Sequence, residues 1–160
     1  MPASLTTVPD VLLALVELGQ VSLGATFAVI DGPPDIDNLP DEFLCIGFSR
    51  DEDESSVDGD QVDEGNYSSS ETYAVHCLLS VATGDVDAAA VAARRTRAAA
   101  LFSTFGIALR ADPTLGGTLH AGGRADISSI SWIYGPSLQG GTYAEVEFDV
   151  NVQAGYLGMP

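Results

Sequence analysis

The sequence predicts an α+β domain: a mostly antiparallel sheet with one long and one short helix packed on it. Three observations lead there. From Thr142 to Val152 apolar and polar residues alternate strictly, the period of a strand with one buried face. From Ala88 to Arg110 the chain is rich in alanine, the best helix former, with apolar residues recurring at helical spacing. Between these lie short β-prone runs separated by Gly, Pro and Asp rather than by further helices. A chain of 160 residues, 46% hydrophobic, can bury a core without staples, so one domain spanning 1–160 is expected.

Taken in order, "TTVPDVLLALVELGQ" reads as a short amphipathic helix. Thr7 is its N-cap, Pro9 sits in the first turn, Asp10 lies near the positive end of the dipole, and Val11, Leu12, Leu15 and Leu18 recur before Gly19. Thr26 to Ile30 forms a strand stopped by Asp31, Gly32 and two prolines. "FLCIGF" is a second. "ETYAVHCLLSVATG" carries apolar residues on both alternating faces, which predicts a central strand covered on two sides. In the long helix, entered at Gly84 and Asp85 and stopped at Asp112-Pro113, Val91, Ala98, Phe102, Phe105 and Leu109 share a stripe, with Arg95 inside it. "ISSISWIY", the turn-rich "GPSLQGG" and "TYAEVEFDVNV" close the chain as a hairpin. Ala144, Val146, Phe148, Val150 and Val152 face its core; Tyr143, Glu145, Glu147, Asp149 and Asn151 face water or a wet cavity.

Charge separates this chain from ordinary domains. Asp and Glu number 23 against six arginines and no lysine, a net charge of −17. Nucleic-acid binding needs cations that displace phosphate counterions, and an anionic membrane needs the same, so both are disfavoured. No run approaches the length of a membrane span and the N-terminal segment lacks a basic n-region, so a soluble protein that stays where it is made, or leaves by cell lysis, is expected. The acids concentrate in residues 49–71, where Asp51, Glu52, Asp53, Glu54, Asp58, Asp60, Asp63 and Glu64 predict a flexible, solvated acidic loop. An EF-hand fails there: counting from Asp51, Ser56 stands at the glycine position and Val62 at the glutamate position.

Catalytic chemistry finds little support. His76 lies in an apolar strand and His120 in "GGTLHAGG", which lacks the lysine of a phosphate loop, and GxSxG and HExxH are both missing from the sequence. No catalytic, cofactor or metal residue is assigned. Cys45 and Cys77 read as buried thiols or as one bridge between neighbouring strands. Three of the arginines, Arg94, Arg95 and Arg97, crowd into "RRTR" on the long helix. They either pair within the chain or hold carboxylates of a neighbouring copy, and a guanidinium on the apolar stripe favours the second because burying it unpaired is costly.

The order of these runs, "PDVLLALVELGQ", "GATFAVIDGPP", "FLCIGF", "YAVHCLLSVATGD" leading into the Ala-rich helix, and "GGTYAEVEFDVNVQAGYL", resembles the tail terminator (tail completion) proteins of long-tailed bacteriophages, especially those of actinobacteria. The resemblance covers most of the chain but not the acidic insertion. It implies a non-enzymatic virion protein, assembled in the host cytoplasm, whose homo-hexameric ring ends polymerisation of the tail tube. Its partners would be further copies of itself, the tail tube protein and a neck or head-completion connector, with genomic DNA passing through without specific binding. Arg94, Arg95 and Arg97 would lie at the subunit interface and Glu145, Glu147 and Asp149 would line an acidic lumen. The alternatives are another neck or tube protein of the same virion, or a binding module of non-viral origin.

Overall fold

The computed structural model describes residues 6–51, 54–65, 68–120 and 122–157. Two helices, α1 (Val8–Leu23) and α2 (Ala88–Ala111), pack on one side of a six-stranded sheet. The strands are β1 (Ala28–Asp31), β2 (Glu42–Ile46), β3 (Val57–Gly65), β4 (Ser68–Thr83), β5 (Arg124–Pro136) and β6 (Thr142–Leu157). Their order is β1-β2-β4-β6-β5, with β3 on β4, and every pairing is antiparallel except β1 with β2. The α+β, mostly antiparallel architecture expected from the sequence is the one observed. Among the described residues no helix is long and apolar enough to cross a membrane.

The axis of the sheet is the pairing of β4 with β6, which runs unbroken from Ser68 opposite Leu157 to Thr83 opposite Thr142. Tyr73, Val75, Cys77, Leu79 and Val81 of β4, with Ala144, Val146, Phe148, Val150 and Val152 of β6, form the helix side and are buried. Phe102 and Phe105 of α2 meet Phe148, the former edge-on at 5.0 Å between ring centroids. The opposite side has a small apolar cluster of Phe43, Cys45 and Leu78 at the β2 end. Both cysteines are free thiols, and they lie on opposite faces of adjacent strands, so a bridge between them is geometrically closed. Burial pushes the Cys45 thiol up to about 12.

Four sequence expectations need correction. Helix α1 does not end with the stretch read as helical, at Gln20, but continues to Leu23. Gly19 is there for close packing: a Cβ at this position would stand 3.1 Å from a methyl of Val29, so glycine lets the helix lie tight against β1. The first strand begins at Ala28 rather than Thr26. Arg95 is exposed rather than within the buried stripe of α2, which consists of Ala98, Leu101, Phe105 and Leu109. At 100° per residue Arg95 stands about 60° round from Ala98, at the margin of that stripe, whereas Arg94 falls inside it and is half-buried.

The fourth correction concerns the acidic stretch. Where the sequence predicts a solvated loop, Val57–Gly65 pairs with Ser68–Val75 as strand β3, and Ser68 to Glu71 belong to β4. The sequence "VDGDQVDEG" has poor strand propensity. It forms a strand because the lower half of β4, beyond the reach of β2, otherwise presents an unpaired edge. Among the described residues of this stretch, the connection between Gly47 and Ser56 leaves the sheet. It departs where Gly47, at φ 73°, and Phe48 both donate to the His76 carbonyl, and it returns where His76 N–H donates to the Ser56 carbonyl. Glu52 and Asp53 lie outside the described residues.

One carboxylate of this region has an unexpected partner. Glu71, on the helix side and buried, accepts from both the Thr7 backbone N–H and the Thr7 hydroxyl at 2.7 Å, while the Tyr73 hydroxyl lies 2.9 Å from Thr7 Oγ1. The Thr7 side chain does not cap its own helix; a carboxylate from β4 stands at the α1 N-terminus instead, favourably placed for the helix dipole. Glu71→Ala is expected to lower stability by about 1–2 kcal/mol, since it takes the acceptor from the half-buried Thr7 N–H and one of the two partners from the Thr7 hydroxyl, as read from urea unfolding midpoints.

Candidate functional site

The second face of β4 and β6 is where the unusual chemistry gathers. Their register sets His76 opposite Asp149, Leu78 opposite Glu147 and Ser80 opposite Glu145. The connection 47–56 folds across this row and, with Ser129 and Ser131 of β5, closes a cleft of about 180 Å³ lined by Arg50, Glu54, His76, Glu147 and Asp149. Strand β5 bulges beside it: its register with β6 shifts between Ser128 and Ser131, and Ser129 takes a positive φ of 51°.

The acids on this face fare differently. Glu145, expected to line a solvated lumen, is instead 5% exposed. One carboxylate oxygen accepts from the Arg50 guanidinium and from Ser80 Oγ; the other is buried with no hydrogen-bond partner. Its alternating position marks it as facing away from the core, and there Arg50 of the 47–56 connection reaches it. Burial pushes the Glu145 carboxyl above the usual carboxylate range, against the pull of Arg50. Glu147 and Asp149 remain partly exposed. His76 Nδ1 lies 2.5 Å from Asp149 Oδ1, and Nε2 lies 3.5 Å from Glu54 Oε1, so each ring nitrogen meets a carboxylate. Arg50 to Glu145 and Glu54 to His76 thus fasten the connection onto the sheet. Among the described residues no group of three or more His, Cys, Asp or Glu is arranged to hold a metal ion.

The remaining expected residues are dispersed. Asp51 and Glu54 lie in the connection; Asp58 and Asp60 are exposed on β3, and Asp63 and Glu64 belong to that strand's backbone. The arginine triplet splits three ways. Arg97 grips Glu42 of β2 through two hydrogen bonds, Nε at 3.0 Å and Nη2 at 2.9 Å, so its fork is engaged within the chain. Arg95 sits over the Tyr134 ring, its Cζ 4.7 Å from the centroid. Arg94 buries its Nε without a partner. His120 is exposed, far along the chain from any of these groups. Sequence reading missed Arg50 and Glu71, because a lone charge in an acidic run gives no sign of which carboxylate it will meet across the fold.

Arg50→Met is expected to destabilise the protein by about 1–3 kcal/mol near neutral pH, the half-exposed arginine tempering the cost of orphaning Glu145. The sign follows from the raised carboxyl: ionised Glu145 is the costly form in the fold, so the loss is full above its titration range. It shrinks as the pH falls through that range and the acid takes up a proton. Urea unfolding of both proteins near pH 7 and near pH 4 reads the difference.

No protein-family model matches this chain and no curated protein matches it in sequence, so the role of these surfaces has to be argued from their own chemistry.

Proposed function

We propose that this protein is a tail terminator of a long-tailed bacteriophage. A homo-hexameric ring of it would sit at the head-proximal end of the tail tube, end tube polymerisation and join the tail to the neck connector. The observation that carries this reading is the disposition of free edges. One sheet ends in β5 on one side and in β1 and β3 on the other, so each subunit offers two different lateral surfaces. Unlike surfaces on opposite flanks join head to tail, and such contacts close into rings when the rotation allows. The side chains differ as well: β5 exposes Ile130, Trp132, Ile133 and Tyr134, the last beneath Arg95, whereas the β1 and β3 flank carries acids.

Charge supports the passage of DNA. A net charge of −17 repels a polyanion, and Glu147 and Asp149 on the face away from the helices are the acids left to line a lumen once Glu145 is paired with Arg50. On this reading the His76 pair has a structural role, since both ring nitrogens already face carboxylates that hold the 47–56 connection in place. The protein then works in the virion by shape and charge rather than by catalysis.

Negative-stain electron microscopy and light scattering of the purified protein provide the test. Closed single rings of six copies with a central hole are expected, with no retardation of duplex DNA in a gel at low salt. Open filaments would instead indicate a tube-forming protein, and monomers at every concentration would end the ring reading.

A further inference from the structure

The arginines divide by whether they have an acid of their own chain. Arg50, Arg97 and Arg124 meet Glu145, Glu42 and Asp126. Among the described residues, Arg94, Arg95 and Arg110 meet none. In a chain with 23 carboxylates, three cations without an acid are conspicuous. Arg95 is also held in place, because the Tyr134 ring beneath its guanidinium leaves the N–H groups on the guanidinium edge free to donate outward. Tyr134 is itself 48% exposed, and Trp132, two residues away on the same face of this free-edge strand, is exposed as well. This flank therefore combines oriented donors for carboxylates with an apolar aromatic surface.

Register identifies what stands at the same height on the opposite flank. Trp132 pairs with Val146, Val146 with Leu79, Leu79 with Leu44, and Leu44 with Val29, a single row crossing the sheet from β5 to β1. Strand β1 ends at Asp31, and the chain then crosses over through residues 32–41 to re-enter the sheet at Glu42, level with Tyr134 through Val81 and Ala144. With the terminal Asp31, that crossover reads "DGPPDIDNLPD" and contains four aspartates and no cation. It exposes Ile36 at 88% and Leu39 at 51%. Strand β3 stands lower, its Val57 level with Ile127 through Val75 and Val150, out of line with Arg95.

We propose that the α2–β5 flank, through Arg95, Trp132 and Tyr134, receives the Asp31–Asp41 crossover of a second copy. Carboxylates of the crossover accept from Arg95 while Ile36 and Leu39 cover the exposed aromatic rings. The two surfaces lie at opposite ends of one row, so a rotation about an axis along the strands brings them together and repeats the contact from copy to copy. This rests on the ring reading and adds to it the pair of segments that meet.

Two charge-reversed proteins test the pairing: Arg95→Glu, and Asp31→Arg with Asp37→Arg, both at exposed positions, with Arg95→Gln and Asp37→Asn as milder versions should a reversal fail to fold. Each reversed protein alone is expected to lose assembly by roughly tenfold or more in light scattering, and the neutral versions by less. An equimolar mixture of the two reversed proteins is expected to recover rings, since alternating copies restore an Arg to Asp or Glu to Arg match at every contact. Wild-type rings with reversed variants that assemble equally well would overturn the proposed contact and leave the ring standing. Loss in both variants without recovery on mixing would equally overturn the pairing. A wild-type protein that stays monomeric would overturn the ring reading and this contact together.

Discussion

The antiparallel pairing of β4 with β6 is the constraint on which the rest depends. Side chains alternate with a period of two, so this one register decides at once that Val75, Cys77 and Leu79 meet Val150, Phe148 and Val146 beneath the helices, and that His76, Leu78 and Ser80 meet Asp149, Glu147 and Glu145 on the other side. A slip of one residue would bury the acids under α2 and expose the valines, a loss too large for any local contact to offset. The polar cleft is thus a by-product of the same pairing that makes the core.

Backbone accounting then explains the acidic stretch. Strand β4 is long, and β2 satisfies only its upper half, from Cys77 to Val81. The lower half needs another partner, and the chain supplies one as β3 despite its aspartates and glycine. His76 is the pivot between the two: its carbonyl holds the end of β2 and its N–H the start of β3, while its ring stands between Asp149 and Glu54. The connection that leaves and returns at this residue carries Arg50 onto Glu145, which converts an acid that would have been solvated into a buried one.

The scarcity of cations gives each arginine weight. Arg50 and Arg97 tie the 47–56 connection and α2 to the sheet, and Arg95 is braced on Tyr134 at the edge. With no lysine to spread positive charge over the surface, attraction between copies can only be focused on the few places where a guanidinium is left facing outward. The flanks of the sheet differ in the same sense, aromatic and basic at β5, acidic at the β1 crossover.

Periodicity by itself determined the fold class, the two helices, the central strand and the apolar face of β6, because those signals are local: side chains a few residues apart share a face whatever the rest of the chain does. The concentration of acid and the cluster of arginines were equally plain. Tertiary structure alone decided the partners. That Thr7 would be bonded by Glu71, that Arg97 would choose Glu42 and Arg95 a tyrosine ring, and that Glu145 would be covered by Arg50 depend on segments 39 to 95 positions apart meeting in space. Among 23 nearly interchangeable carboxylates no spacing in the sequence singles out which one a given cation will reach. The strand at Val57–Gly65 was hidden for the same reason: its cause lies not in its own residues but in the unpaired edge of β4.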